Sequence, residues 1–219
     1  MLAVRRAQRH NSDSGASMPI QQDYKLALQT FQSRRLQRDL ADLAAEAQYQ
    51  QIAQFFFEEM YGPRDFSARD EQAQRAHWFV HRTPGVTIHD VEPVLELLEL
   101  TNQLDDQIAS LLNDLDAPVD FDEALYERAY RLADNYAARV AQIDLAIVAL
   151  GNVYQLGRKR LLGIALHSTH ALAQAVGMGD LHRFLQQGYH AIQPVRDITR
   201  FLTTIETREK ARLDRIYAI

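Results

Sequence analysis

The 219-residue chain has no cysteine, which excludes disulfide frameworks, thiolate zinc sites, iron–sulfur clusters and cysteine nucleophiles at once. A reducing cytoplasm suits such a chain. Helix breakers are also scarce, with six prolines and nine glycines, so each serves as punctuation between periodic segments. Val, Ile, Thr and the aromatics never gather into short alternating runs bounded by turns, which leaves no signal for a sheet. Walker-type phosphate loops, His-Glu-x-x-His and Glu-x-x-His are all absent, and without the last a ferritin-like di-iron centre lacks its ligands. An excess of positive charge is missing too: 24 Lys and Arg face 29 Asp and Glu, for a formal charge of -5. Nucleic acid is therefore a disfavoured partner, because phosphate binding rests on concentrated cationic charge. The mostly apolar run over 161–178 is interrupted by His167, Ser168, Thr169, His170 and Gln174, so it reads as a buried helix and not as a membrane span.

What is present is helical periodicity. Residues 1–19 lack the apolar core of a signal peptide and read as a disordered tail or an over-extended start. Residues 20–219 read as a single all-α domain, an antiparallel bundle of about six helices, several of them long. Leu36, Leu40, Leu43 and Ala47 at three- and four-residue steps predict a first helix over 21–61, stopped by Gly62 and Pro63. A short second helix is expected from Ser67, with Asp70 as its reciprocal cap. The third, over 88–114, carries Leu97, Thr101, Leu104, Ile108 and Leu111 on one face and Glu92, Glu96, Glu99, Asp106 and Asp114 opposite, entered through Thr87 or Asp90 as a cap. Beyond the Asp116-Ala117-Pro118 corner, Asp120 and Glu123 are expected to cap a long fourth helix to about 155, with Leu125, Leu132, Tyr136, Val140, Ile143 and Ile147 inward. Gly157 is expected to end it in the left-handed conformation. A fifth helix over 158–176 closes at Gly177 and Gly179. Asp180 caps a sixth, which breaks near Pro194.

Several residues carry candidate chemistry. His77 and His81 have the spacing of two metal ligands but no completing carboxylate, and His89-Asp90 is more simply a helix entrance. In the second half, a hairpin of the fourth and fifth helices about Gly157 brings Asp144 level with His170, and a turn about Met178 brings His190 level with His167. Asp144, His167, His170 and His190 are thus candidate ligands for a divalent metal ion such as zinc or iron, and a histidine held by an aspartate is also a general base. The alternative is a buried network in which these side chains satisfy one another. Around the Gly62-Pro63 corner, Arg64 and Arg69 either clasp Asp65 and Asp70 or form an anion-binding rim; the clasp is the simpler reading.

One stretch is distinctive as a pattern. Phe55-Phe56, Tyr61-Gly62-Pro63-Arg64-Asp65-Phe66-Ser67 and Arg69-Asp70, followed by Leu97-Leu98-Glu99-Leu100-Thr101-Asn102-Gln103-Leu104-Asp105, resemble a family of uncharacterised bacterial proteins of similar length. The resemblance implies a bacterial source and an all-helical fold, and it transfers no catalytic residue. Two functions are compatible with this sequence. The first is a non-enzymatic cytoplasmic protein that binds a protein partner or a second copy through an exposed helix face, with no cofactor. The second is a metal- or small-ligand-binding bundle with a buried His/Asp cluster, a hydrolase or oxidase if it is an enzyme.

Overall fold

A computed structural model describes residues 17–60, 62, 68, 71–72 and 87–218 of the chain. Among the described residues there are ten α-helices and no strand. They are α1 (Ser17–Asp39), α2 (Ala41–Ala44), α3 (Gln50–Phe55), α4 (Ile88–Asp114), α5 (Glu123–Ala133), α6 (Tyr136–Gly157), α7 (Arg160–Ser168), α8 (His170–Ala175), α9 (Gly179–Ile192) and α10 (Thr199–Tyr217). A π-helical turn, Phe56–Met60, continues α3. The expected second helix, with Ser67 and Asp70, lies outside the described residues.

The all-helical class agrees with the sequence reading, and apart from the break at Pro194 the larger helix count comes from breaks that no proline or glycine marks. The expected first helix is interrupted after Asp39, where the Arg208 guanidinium donates to the freed Asp39 carbonyl at 2.7 Å. Between α5 and α6 the chain turns at Asp134, held left-handed at φ 47°; Asp and Asn tolerate that conformation better than other side chains do. The expected fifth helix is split at Thr169, whose hydroxyl donates back to the Ala165 carbonyl at 2.7 Å, while Ser168 donates to the same oxygen at 3.1 Å. Such back-bonding competes with the helical ladder.

Cap assignments follow the same pattern of agreement and shift. The Thr87 backbone N–H donates to Asp90 at 2.7 Å, closing the entrance of α4. The cap of α5 is Asp122, which accepts from the Leu125 N–H at 2.9 Å, and not Asp120. Asp180 lies in the first turn of α9, behind Met178 at the cap. Gly177, at φ 69°, ends α8 in a left-handed turn whose next N–H, from Met178, reaches the Ala173 carbonyl at 2.8 Å. Gly157 does something else: it is the last residue of α6 and helical, and α9 lies directly against it.

The core forms three apolar clusters. One joins α1, α3, α6, α9 and α10 around Leu36, Leu40, Ile52, Phe56 and Phe201. A second sits between α4, α6 and α9 around Leu97, Ala149 and Phe184. The third joins α1, α4, α5 and α10 around Leu28, Ile108, Leu112, Tyr126 and Ile216. The acids Glu92, Glu96, Glu99, Asp106 and Asp114 on α4 are all exposed. Helix α6 is long and apolar enough to cross a bilayer by length and composition alone, and 33% of its most apolar window is buried in the bundle. It carries Arg139 and Gln142 into the interior, so its apolar surface is matched to α4, α9 and α10 and interrupted by polar groups. Leu132, expected inward, is 52% exposed.

A Cβ on Gly157 would stand 2.1 Å from the Ile192 Cγ2. Gly157→Ala is therefore expected to push α9 off α6 and cost about 1–3 kcal/mol, as overpacking does. Urea unfolding checks it: adding Ile192→Ala should produce a total loss smaller than the sum of the two single losses.

Candidate functional site

The most elaborate polar arrangement among the described residues lies inside the bundle, where α1, α5, α6 and α10 meet. A cavity of about 50 Å³ is lined there by Gln32 and Arg35 of α1, Tyr126 and Tyr130 of α5, Arg139 and Gln142 of α6, and Glu209 and Arg212 of α10, with Phe56, Ala146 and Ile205 closing it. Helical spacing places each polar pair on one inward face: Gln32 with Arg35, Arg139 with Gln142 and Glu209 with Arg212 are three apart, and Tyr126 with Tyr130 four apart. Gln32, Arg35, Arg139 and Arg212 are 3%, 7%, 3% and 8% exposed.

Buried charge needs a partner, and each guanidinium has one from another helix. Arg35 is bonded to Glu209. Burial works against its charge, yet Glu209 holds the group well above its ordinary pKa. Arg139 donates to Gln142 and to the Leu104 carbonyl, each at 3.0 Å, lies 3.7 Å from Asp105 and stacks 4.4 Å from the centre of the Tyr130 ring. Arg212 donates to Glu123 at 2.8 Å and lies 3.6 Å from Asp39. That bond with Arg212 holds the Glu123 carboxyl below its usual range. Asp105 accepts from the Gln32 amide at 3.1 Å, and its complete burial pushes its carboxyl up. Burial also raises the Tyr126 hydroxyl well above the ordinary value for tyrosine.

Some polar atoms on this wall are left over. Arg35 Nε, Arg212 Nε and Gln32 Oε1 are buried and have no hydrogen-bond partner among the described residues. Native interiors leave few such groups, and each one calls for an explanation.

A second cavity, of about 60 Å³ and almost wholly apolar, lies between α3, α4, α6 and α9, with Phe55, Met60, Val94, Leu97 and Phe184 on its walls. The end of α3 and the π-helical turn contribute to both spaces: Phe55 and Met60 line the apolar one, and Phe56 lines the polar one. Ser33 completes the turn by donating to the Phe57 carbonyl at 3.0 Å.

The residues singled out from sequence stand elsewhere. Asp144 is exposed on α6 and pairs with Lys210 at 2.7 Å. His167 and His190 are exposed, the latter ring 5.7 Å from that of Tyr189. His170 is exposed as well, its ring 5.2 Å from His182. Among the described residues no group of three or more His, Asp or Glu is placed to hold a metal ion, so the expected gathering of Asp144, His167, His170 and His190 is not found there. The break at Thr169 turns His170 away from the register assumed for an unbroken helix. The buried imidazole is His182 instead, 1% exposed, whose Nε2 donates to the Leu166 carbonyl at 2.8 Å; burial lowers its pKa and keeps it neutral. Arg64, Arg69, His77 and His81 lie outside the described residues.

The cavity residues themselves escaped the sequence reading. The available signal is Arg139 and Gln142, two polar residues three apart in the mostly apolar α6.

With this geometry in view, the comparison with known proteins adds a family and no activity. The model of a domain of unknown function (DUF8198) matches residues 11–219. The chain belongs to that family. No curated protein and no solved structure matches it.

The cavity is closed by α10, which is pinned along its length: Arg200 to Glu46, Arg208 to Asp42, Lys210 to Asp144, Arg212 to Glu123 and Arg215 to Glu127. The Arg208–Asp42 fork, at 2.7 and 2.8 Å, pulls the Asp42 carboxyl down to about 2 from 3.8. A depressed carboxyl stabilises the fold above its unfolded pKa, and the contribution fades as pH falls from 3.8 through about 2. Asp42→Asn should therefore lower Tm near neutral pH by about 1–3 °C, the scale of an exposed pair in a chain this size. Thermal scans at a series of pH values should show wild type and variant converging near the bottom of that range.

Proposed function

We propose that the protein is a non-enzymatic, small-ligand-binding helical bundle, and that its ligand sits in the polar chamber between α1, α5, α6 and α10. One observation supports this reading. Two guanidinium groups more than nine-tenths buried keep an Nε without a hydrogen-bond partner beside a space of about 50 Å³. An arginine–carboxylate clasp alone needs no such space, since interiors close-pack around their polar pairs. A bacterial, cytoplasmic setting belongs to the same reading; it rests on the resemblance carried by the Phe55–Asp70 stretch and on the lack of cysteine.

The chamber can be filled without touching its charges. Ala146 is 4% exposed and lines it, so Ala146→Leu places about three methyl-sized groups in the space. Thermal denaturation with a panel of phosphate, sulfate, acetate, ammonium and glycerol is expected to show a saturable rise in Tm with at least one of them in the wild type and none in Ala146→Leu. If no member of the panel shifts the wild type, or if both proteins respond alike, the chamber is not a ligand site for that range of chemistry.

Association through an exposed helix face remains a second reading, supported by Ile164, Leu172 and Val176, which are 65%, 45% and 41% exposed on or just beyond the neighbouring helices α7 and α8. Large apolar side chains exposed on successive helices are candidate contact residues where they form one patch. Sedimentation velocity tests it: a dimer that Ile164→Glu with Leu172→Glu converts to monomer supports this face, and a wild type monomeric at all concentrations rejects self-association.

A further inference from the structure

We infer that the occupant of the polar chamber is a small, singly charged oxyanion that keeps an O–H group, of the dihydrogen phosphate or bicarbonate kind. The inference rests on the ligand-binding reading and adds the chemical class.

Size sets the first limit. A water needs roughly 10–15 Å³ of such space, so about 50 Å³ admits the equivalent of three to five waters. That suits an ion of about four or five heavy atoms and excludes nucleotides and sugar phosphates.

Hydrogen-bonding capacity sets the second. The unspent groups on the wall include two donors, Arg35 Nε–H and Arg212 Nε–H, and one acceptor, Gln32 Oε1. The Gln32 orientation is fixed from its other end, because its amide nitrogen donates to Asp105 at 3.1 Å. Two donors call for two acceptor oxygens on the ligand, and one acceptor calls for an O–H on the same ligand. Guanidinium groups favour oxyanions in such a role, since charge-assisted bonds to carboxylate- or phosphate-like oxygens are about twice as strong as neutral ones.

Charge sets the third. Three guanidinium groups face four carboxylates: Glu209 on the wall, and Asp39, Asp105 and Glu123 behind it. With every carboxylate ionised that set already carries one negative charge in excess, and a dianion would add two more. An oxyanion that keeps its proton adds the least charge for the bonds it makes, and the raised pKa of buried Asp105 moves the balance the same way.

Phosphate and bicarbonate share this chemistry, and sulfate is the discriminating control. It matches phosphate in shape and size but has no O–H at about pH 7. Calorimetric titration of the full-length protein with phosphate, with bicarbonate and with sulfate is expected to show one of the two hydroxyl-bearing ions binding saturably at one per chain. Sulfate should bind about tenfold or more weakly, since it leaves Gln32 Oε1 buried and unpaired. Whichever of the first two saturates names the source. Gln32→Met, with circular dichroism unchanged, should bring that ion down to the level of sulfate. Equal affinity for sulfate in the wild type overturns the O–H assignment without need of any variant. A response to ammonium or glycerol alone overturns the oxyanion class and leaves the ligand reading standing. A flat response to every probe overturns both and leaves water as the only occupant.

Discussion

Three arginine side chains inside an all-helical bundle impose the constraint on which much of this structure depends. Arg35, Arg139 and Arg212 stand on three different helices, and each must meet its acid across a helix boundary: Glu209 on α10, Asp105 on α4, and Glu123 on α5 with Asp39 on α1. A buried pair adds little stability over well-packed apolar residues, but leaving one partner alone is costly, on the order of 3–5 kcal/mol. The pairs therefore act mainly on register. A shift of α10 by one residue would separate Glu209 from Arg35 and Arg212 from Glu123 together. The apolar residues Phe201, Ile205, Leu213 and Ile216, all 6% exposed or less, supply the attraction that holds α10 down, and the charges select where along the bundle it settles.

The same constraint separates what could be read in the sequence from what could not. Local signals were legible wherever a side chain or backbone preference acts on its neighbours: Thr87 with Asp90 at a helix entrance, Gly177 at a helix end, Pro194 between α9 and α10, and the acidic face of α4 opposite its leucines. The breaks at Asp39, Asp134 and Thr169 were not legible. At Asp39 the decisive group, Arg208, is 169 residues away, and at Thr169 a hydroxyl competes with the backbone in a segment whose periodicity continues without pause. The chamber was hidden for a related reason. Helix α6 is apolar on nearly every side, so periodicity chooses no face. The side actually buried includes Arg139 and Gln142, residue types that a hydrophobic pattern assigns to solvent. The breaks at Asp134 and Thr169 remove the continuous helical register that would set Asp144, His167, His170 and His190 at common levels, and His182, the one fully buried imidazole among the described residues, has no local signal in its sequence neighbourhood.

Of the three successive phenylalanines at 55–57, the first two line different cavities and the third packs in the core. An ordinary helix would turn consecutive side chains by about 100° each. The wider π-helical turn changes that progression. Phe55 packs 5.2 Å from Phe184 on the apolar side, Phe56 seals the polar chamber, and the carbonyl of Phe57 is taken by Ser33. Two adjacent rings, one at the end of α3 and one at the start of the π-helical turn, thus line two different spaces.

Because the groups that line the chamber are also those that hold α10 in place, the proposed ligand would link occupancy to docking. A ligand bound only when Arg35 and Arg212 are assembled stabilises that assembly by RT ln(1 + [L]/Kd), about 2.7 kcal/mol at a hundredfold excess over Kd. That exceeds the contribution of any single exposed pair along α10, which is at most about 1 kcal/mol. The C-terminal helix therefore reports on the interior: an occupied chamber tightens it through the buried pairs, whereas its surface clasps contribute similarly whether the chamber is full or empty.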